Sequence, residues 1–458
     1  MKRPRNYRIF AILLGSVPAA APMTAALADG HYLDQTIVEL VVGADINEIN
    51  EEYGTTTLGL IEIDVSDPDD GVRLYWLLLP NDWGDDWDDD PRIADVDFNY
   101  PCETAEGQTE SFYFNVGPSA YPEQYAWGLI GLEAAHQVST GDGIVVALLD
   151  TGAEADHEAL VGHILLEDGY NFVDGNTDTS DVGNGLDDDG DRSVDEMVGH
   201  GTFMAGIVAM VAPDAGLLIV KVLNGDGTSP SFRVAQGIYY AVEKGADVIN
   251  LSVAMSDEYE ILTDAIEYAY DAGVVIVAAA GNLLAPEVMF PAHDEDTIGV
   301  ASTDIDDLKS EFSNYGDDIS ISAPGTDIVS SFPGNEYVQW QGTSMSVSFV
   351  SGAAALVKAI NSSASPDDIE ETLGEAADDV DPAYDGLLGA GRLNIAAALS
   401  TDENSPDLNQ DGVVNATDLL ILLSSWGSCG DCADCPADLN DDCAVGSTDL
   451  IILLANWG

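Results

Sequence analysis

The sequence predicts an α/β fold in which a parallel sheet carries helices on both faces. Five mostly apolar runs have the composition of strands that are buried on both sides, and they span residues 143–150, 217–222, 247–253, 274–280 and 297–301. Helical periodicity appears between several of these runs, at 201–211, 231–244 and 258–272. Strands that alternate with helices predict a parallel sheet whose reactive side chains lie at the carboxyl ends of the strands.

Smaller units are predicted on either side of this domain, which we place at residues 121–400. Residues 29–120 combine predicted strands at 36–43, 71–79 and 93–100 with a helix at 44–53, and therefore form a small α+β unit. Residues 401–406 form a polar linker, and residues 407–458 form a C-terminal unit.

Residues 1–28 have the pattern of an export signal. Basic residues precede a short apolar run, and Ala26-Leu27-Ala28 matches a small-residue cleavage site. No later stretch has the length expected of a membrane span, so we expect a secreted or cell-surface protein with no transmembrane anchor after signal removal.

The charge of the chain is strongly acidic. It has 13 Lys and Arg residues against 83 Asp and Glu residues, a net charge of −70. This surface repels nucleic acid and suits calcium binding or a solvated existence in salt water. In an exported chain, disulfides are favoured over a metal cluster for the cysteines, which are Cys102, Cys429, Cys432, Cys435 and Cys443.

Three polar residues lie where chemistry is expected in the predicted sheet. Asp150 ends the first apolar run, His200 lies between glycines at a helix start, and Ser344 begins a buried helix that extends to Lys358. A hydroxyl becomes a nucleophile when a base takes its proton, and an imidazole base needs a carboxylate to fix its tautomer. Each residue alone is typical of a cap or a turn, but together they predict a nucleophilic site.

The motifs around these residues, D-T-G, G-H-G-T and G-T-S-M, resemble those of the subtilisin-like serine proteases (the subtilase family) over residues 121–400. The resemblance implies that Asp150 orients His200, that His200 acts as general base and acid, and that Ser344 attacks the peptide carbonyl. It also implies that the Asn282 amide stabilises the oxyanion together with the Ser344 N–H. The peptide-binding residues it implies are Ser252, Val253, Ala254, Ala280 and Gly281.

The chain departs from the family pattern in several places. Ala254 replaces a glycine and predicts a narrower pocket, and Phe203 stands where a second histidine is common. Residues 346–349 lack the family's proline, so the sequence does not predict the backbone conformation of the first helical turn. The alternative function is a catalytically inactive binding scaffold, and the presence of all four catalytic positions argues against it. An acid-active peptidase of the sedolisin kind would carry glutamate in place of His200.

Residues 29–120 resemble a subtilase propeptide. The resemblance implies a segment that assists folding, occupies the active site and is then removed by cleavage. The alternative is an ordinary N-terminal domain that stays attached.

The C-terminal unit contains an internal repeat, because residues 407–427 align with residues 438–458. Oxygen side chains recur at calcium-loop spacing in both copies: Asp407, Asn409, Asp411, Asn415 and Asp418 in the first, and Asp438, Asn440, Asp442 and Asp449 in the second. The second copy has Cys443 where glycine is expected and Gly446 at a ligand position, so we expect weaker binding there. The pair resembles a type I dockerin, which implies structural Ca²⁺ and a cohesin-like partner. The alternative is a solvated acidic tail.

A third acidic cluster precedes His200, within residues 184–195. Two interpretations of this cluster are possible, a calcium-binding loop and an ordinary acidic surface loop. Four of its residues have calcium-loop spacing, namely Asp187, Asp189, Asp191 and Asp195.

Overall fold

The computed structural model describes residues 7–11, 35–41, 43–65, 72–79, 90–107, 113–400, 406, 408–409, 414–429, 435–440 and 443–457. The chain forms two compact units, Met1–Leu399 and Ser400–Gly458. The predicted export signal lies outside the described residues, except for Tyr7–Ala11, which forms a strand.

The N-terminal part of the larger unit is an antiparallel sheet packed against one helix. Its elements are β1 (Tyr7–Ala11), β2 (Gln35–Leu40), α1 (Ile46–Tyr53), β3 (Thr56–Val65), β4 (Val72–Leu78) and β5 (Ile93–Phe98). The sheet order is β1-β3-β4-β2-β5. The buried Ile49 of α1 packs into the same apolar cluster as Val38 and Leu77 of the sheet, so this part is α+β as predicted.

The remaining elements of the larger unit follow in chain order. They are β6 (Pro101–Thr104), β7 (Phe114–Val116), α2 (Ala120–Glu123), α3 (Tyr125–Leu129), α4 (Leu132–Ala135), β8 (Val145–Asp150), β9 (Tyr170–Asn171), α5 (His200–Val211), β10 (Gly216–Lys221), β11 (Thr228–Pro230), α6 (Ser231–Glu243), β12 (Val248–Leu251), β13 (Val253–Ala254), α7 (Glu260–Asp271), β14 (Val275–Ala279), β15 (Ile298–Thr303), β16 (Ile321–Pro324), β17 (Ile328–Phe332), β18 (Glu336–Trp340), α8 (Thr343–Ile360), α9 (Pro366–Glu375) and α10 (Ile395–Ala398).

A seven-stranded parallel sheet forms the centre of the larger unit, in the order β16-β15-β14-β12-β8-β10-β9. Alternate residues of β8 face opposite sides: Val146 and Leu148 pack with α5 and α8, whereas Ala147 and Leu149 pack with α6 and α7. Both faces of the sheet are therefore covered by helices, and the predicted α/β fold class is confirmed.

Helix α8 is buried in this core. It is long and apolar enough to cross a membrane, contrary to the expectation that no later stretch has this length. Its residues from Thr343 to Lys358 are buried inside the domain, and this burial explains its composition. The helix is continuous through residues 346–349, so the missing proline leaves its first turns intact.

The C-terminal unit contains two equivalent helices, α11 (Ala416–Ser424) and α12 (Ser447–Ala455). Two short strands pair antiparallel, β19 (Gly427–Ser428) and β20 (Ala444–Val445). Leu422 and Leu453, which are equivalent in the two repeats, are buried in its core. Cys429 and Cys435 form a disulfide, Cys443 is also disulfide-bonded, and Cys432 lies outside the described residues.

Gly352 allows α8 to approach α5 closely. An added Cβ would lie 2.6 Å from the Val211 Cβ, and overpacking of this kind costs about 1–3 kcal/mol. We therefore expect Gly352→Ala to lower the free energy of unfolding, measured by urea denaturation in a Ser344→Ala chain. Gly128→Ala is the matched control, because a Cβ there meets no atom within 4 Å. Equal stability of the two variants would contradict the packing argument.

Candidate active site

Strand β8 and helix α5 bring a carboxylate and an imidazole into contact. Asp150 is the last residue of β8, and His200 is the first residue of α5. The His200 Nδ1 lies 2.8 Å from Asp150 Oδ1 and 3.0 Å from Oδ2, in a buried environment. Because Asp150 accepts the proton on Nδ1, Nε2 is the ring nitrogen that is left for a second partner.

The Glu106 carboxylate, which was not predicted from the sequence, lies between His200 and the start of α8. The Ser344 hydroxyl donates to Glu106 Oε2 at 2.5 Å, and the same oxygen lies 3.0 Å from His200 Nε2. Glu106 Oε1 accepts from the Ser344 backbone N–H at 3.2 Å and from Asn282 Nδ2 at 3.0 Å. The Ser344 N–H and the Asn282 amide therefore point at one common oxygen.

Asn282 is held in a fixed orientation by the residue before Ser344. Its Oδ1 accepts hydrogen bonds from the Thr343 N–H and from the Thr343 hydroxyl, each at 3.0 Å. Its Nδ2 is therefore directed toward Glu106, and the two ends of the amide are assigned by their partners.

The buried charges of this site shift the pKa values of their neighbours. Burial alone would lower the pKa of His200, but the charge and hydrogen bonds of Asp150 and Glu106 outweigh it and raise the pKa to about 10. Burial alone would raise the pKa of Glu106, but its contacts with His200, Ser344 and Asn282 lower that pKa below its usual value. The arrangement is an ion pair between an imidazolium and a carboxylate.

A second buried carboxylate, Asp181, connects the strand and the helix that carry Asp150 and His200. It accepts from the Thr151 hydroxyl at 3.0 Å, and from the N–H and hydroxyl of Thr202 at 3.0 Å and 2.7 Å. Asp181 therefore caps the first turn of α5 and fixes it relative to the end of β8. Asp181 was not predicted, because its contacts with Thr151 and Thr202 join residues 30 and 21 positions apart.

The predicted peptide-binding edge is paired with a strand of the chain itself. Strand β6 lies between β11 and β13 and is antiparallel to both. The Thr104 N–H donates to Gly227 O at 3.0 Å, and the Ala105 N–H donates to Ser252 O at 3.4 Å. Residues 252–254 therefore pair with an extended segment of the same chain, and β11, which pairs with the other side of that segment, was not predicted because it is short.

The other two predicted peptide-binding residues shape the loop that carries Asn282. Ala280 ends the run after β14, and its N–H donates to Val300 O at 3.0 Å. Gly281 has φ +101° and lies against Asn314 and Met289, so a side chain there would be strained. The carbonyls of both residues are hydrogen-bonded within the domain, because Ala280 O accepts from the Met289 N–H at 3.1 Å and Gly281 O accepts from the Asn314 N–H at 2.9 Å.

The acidic loop before His200 brings three of its four predicted ligands together. Asp187, Asp189 and Asp191 have carboxylate oxygens within 4.8 Å of one another. Asp195 is directed elsewhere, because its two oxygens accept from the Asn184 N–H at 2.9 Å and the Gly185 N–H at 2.7 Å.

The described part of the C-terminal unit includes some of the predicted calcium ligands. Asp418 and Asp449 are equivalent and fully buried. Asp449 Oδ2 accepts from the Gly446 N–H at 2.6 Å, and its Oδ1 is buried with no hydrogen-bond partner among the described residues. Asn409, Asn415, Asp438 and Asn440 are also described, whereas Asp407, Asp411 and Asp442 lie outside the described residues.

The arrangement has the components of a serine hydrolase site. These components are a serine hydroxyl at a buried helix start, a His–Asp pair, and two N–H donors that point at one oxygen. Comparison with known proteins assigns the family. Residues 141–391, more than half of the chain, match the model of the Subtilase family (peptidase S8). The chain therefore belongs to the subtilase family and is a serine-type endopeptidase.

Individual relatives agree with this assignment. The chain is 38% identical over 252 residues to thermitase of Thermoactinomyces vulgaris, covering 53% of this chain and 84% of thermitase. It is 36% identical over 284 residues to Subtilisin BL of Lederbergia lenta, covering 59% and 97%. A solved protease of Pseudoalteromonas arctica PAMC 21717 superposes with a TM-score of 0.55 at 28% identity, covering 62% and 98% of the two chains.

The pKa of His200 can be tested by titration. Its folded value of about 10 exceeds the usual 6.5, so protonation of His200 stabilises the fold. This contribution is complete below about pH 6.5 and is lost as the pH rises through about 10. We expect ¹⁵N NMR of the intact Ser344→Ala chain to show a protonated His200 at pH 8.

The same titration separates the contribution of Glu106. Glu106→Gln should lower the His200 midpoint by at least one pH unit, because it removes a charge at 3.0 Å. Glu103→Gln makes the same charge change on β6 and should leave the midpoint in place. A midpoint near 6.5 in the parent chain would contradict the ion pair.

Proposed function

We propose that this protein is a secreted endopeptidase that cleaves peptide bonds through Ser344, His200 and Asp150, with Asn282 as an oxyanion donor. The observation that carries the proposal is the convergence of Ser344 Oγ, the Ser344 N–H, Asn282 Nδ2 and His200 Nε2 on a single carboxylate. One Glu106 oxygen stands in for the substrate's carbonyl oxygen, and the other lies between the nucleophile and its base.

The proposed mechanism follows from these contacts once Glu106 has left the site. His200 Nε2 takes the proton of the Ser344 hydroxyl while Oγ attacks the peptide carbonyl carbon, and Asp150 stabilises the resulting imidazolium. The carbonyl oxygen becomes negative and accepts hydrogen bonds from the Ser344 N–H and from Asn282. His200 then returns the proton to the leaving amine, and water hydrolyses the acyl-enzyme by the same steps in reverse.

Substrate binding is proposed to reproduce the pairing of strand β6. An extended peptide between β11 and β13 makes backbone hydrogen bonds that do not depend on its sequence, which suits an enzyme that cleaves many peptides. The last residue in this pairing is Ala105, whose N–H donates to Ser252 O, and it directly precedes Glu106. A small residue at this position agrees with the narrower pocket expected from Ala254.

Residues 29–120 are proposed to be a propeptide. The support is that β6 lies in the peptide-binding cleft and is continuous with the N-terminal sheet through β5 and residues 99–100. Asn99 binds this connection to the start of α6, because its Oδ1 accepts from the Ser231 hydroxyl at 3.1 Å. Removal of this segment would open the cleft, and residues 1–28 would direct export.

The C-terminal unit is proposed to bind Ca²⁺ in two loops and to dock the enzyme to a cohesin-like domain. A buried carboxylate oxygen without a hydrogen-bond partner, Asp449 Oδ1, fits a cation ligand. Leu420 and Ile451, at equivalent positions of the two helices, are 68% and 66% exposed, which suits a docking face. The ion would supply structural charge neutralisation. Calcium is also proposed for the loop with Asp187, Asp189 and Asp191.

The catalytic roles can be tested with single substitutions. Ser344→Ala should abolish peptide hydrolysis and labelling by a serine-directed fluorophosphonate probe. Asn282→Ala should lower kcat by about 10²–10³ because it removes one oxyanion donor. Ser351 lies two turns further along α8, and its hydroxyl accepts a hydrogen bond from Asn250. The control variant Ser351→Ala should therefore retain activity. Hydrolysis by the Ser344→Ala chain at the parent rate would refute the proposed nucleophile.

Calcium binding is tested by isothermal titration calorimetry of the full chain. We expect Asp449→Asn to weaken binding at one site at least tenfold, since it removes the charge of a buried ligand. Asp142→Asn makes the same change at an exposed position of the larger unit and should have no effect. Identical titration curves for the parent and Asp449→Asn would rule out Asp449 as a ligand.

A further inference from the structure

The Glu106 carboxylate is bound as a ligand by the catalytic centre. It is 1% exposed, and its two oxygens accept hydrogen bonds from donors on three separate elements: the start of α8, the loop after β14, and the first residue of α5. A buried carboxylate is stable only when it is paired and hydrogen-bonded, and this one is both.

The backbone around Glu106 departs from the path of an extended peptide. Strand β6 ends at Thr104, and the Gly107 N–H donates to Thr104 O at 3.1 Å and to Thr104 Oγ1 at 3.1 Å. The chain therefore turns at residues 104–107, directly beside Ser344. The group that this turn presents to the Ser344 hydroxyl is a side-chain carboxylate.

A carboxylate is a poor target for Ser344. Its negative charge is shared by two oxygens, so its carbon is much less electrophilic than that of a peptide bond. The same charge makes it a good ligand for the site, because the two N–H donors and the His200 imidazolium favour an anion.

The site is also shaped for this group. Gly342 lies against the Glu106 carboxylate, and a Cβ on Gly342 would overlap it. One oxygen fits the two N–H donors, while the other fits the space between Ser344 Oγ and His200 Nε2. A neutral amide in the same place would direct an NH₂ group at one of these sets of donors, so the site discriminates between glutamate and glutamine.

We propose that the catalytic centre is a binding site for a side-chain carboxylate, and that Glu106 is its intrachain ligand, which keeps the uncleaved chain inactive. This inference rests on the proposed catalytic roles of Ser344, His200 and Asn282. It assigns inhibition to the Glu106 side chain, in addition to the blocking of the cleft by β6. The ligand class is a carboxylate on an extended peptide that binds between β11 and β13.

The first test measures how fast a fluorophosphonate probe labels the intact chain before any cleavage. We expect Glu106→Ala to be labelled at least tenfold faster than the parent, and Glu106→Gln at least threefold faster. Glu103→Gln, with the same charge change on β6, should be labelled at the parent rate. Labelling of Glu106→Ala and Glu106→Gln at the parent rate would overturn the proposal.

The second test does not depend on folding of the variants. Synthetic peptides of residues 101–107, with serine in place of Cys102, are added to the cleaved parent protein as inhibitors of peptide hydrolysis. The peptide with Glu106 should inhibit at least tenfold more strongly than the peptide with glutamine at that position, and equal inhibition would overturn the inference. If the cleaved protein neither hydrolyses peptides nor is labelled, the proposed function itself has failed.

Discussion

The first turn of helix α8 imposes the constraint on which the rest of the site depends. Backbone N–H groups at a helix start have no partner within the helix, and here this start is buried, so they need acceptors from elsewhere. Asn282 Oδ1 accepts from Thr343, and Glu106 Oε1 accepts from Ser344. The first acceptor fixes the Asn282 amide, and the second is a carboxylate oxygen of the same chain. The nucleophile and the anion site are thus consequences of one helix terminus.

An anion in this buried position must be compensated by its neighbours. Taking a carboxylate out of water costs several kcal/mol, and removing one partner of a buried ion pair typically costs about 3–5 kcal/mol. The His200 imidazolium, itself held by Asp150, supplies the opposing charge, and the N–H groups supply hydrogen bonds. The same fixed donors suit the oxyanion of peptide hydrolysis, because they need no rearrangement as charge develops. We therefore propose that the Glu106 carboxylate and the reaction intermediate use the same donors.

The parallel sheet was largely predictable from sequence, because strands buried on both faces are mostly apolar. The predicted run 217–222 differs from β10 by one residue at each end, and 143–150 contains β8 completely. Strand β6 was not predictable, since its sequence PCET has no strand pattern and its conformation comes from pairing with β11 and β13.

The residues of the candidate site also divide into those that were predicted from the sequence and those that were not. Asp150, His200, Ser344 and Asn282 lie within motifs and were predicted, and the structure brings them together. Glu106 was missed because its contact with Ser344 joins residues 238 positions apart, and no local pattern encodes such a contact. Asp181 was missed for a similar reason. The catalytic roles of the four motif residues and the ligand roles of all the proposed calcium-binding residues stay predictions.

The central claim is that the Ser344 hydroxyl is the group that attacks the substrate. The most direct measurement is mass spectrometry of the cleaved protein after rapid acid quenching with an activated ester substrate, followed by mapping of the acylated peptide. The account predicts one acyl group on the peptide that contains Ser344, and none in a Ser344→Ala chain. An acyl group on another residue, or ester turnover that survives Ser344→Ala, would contradict it.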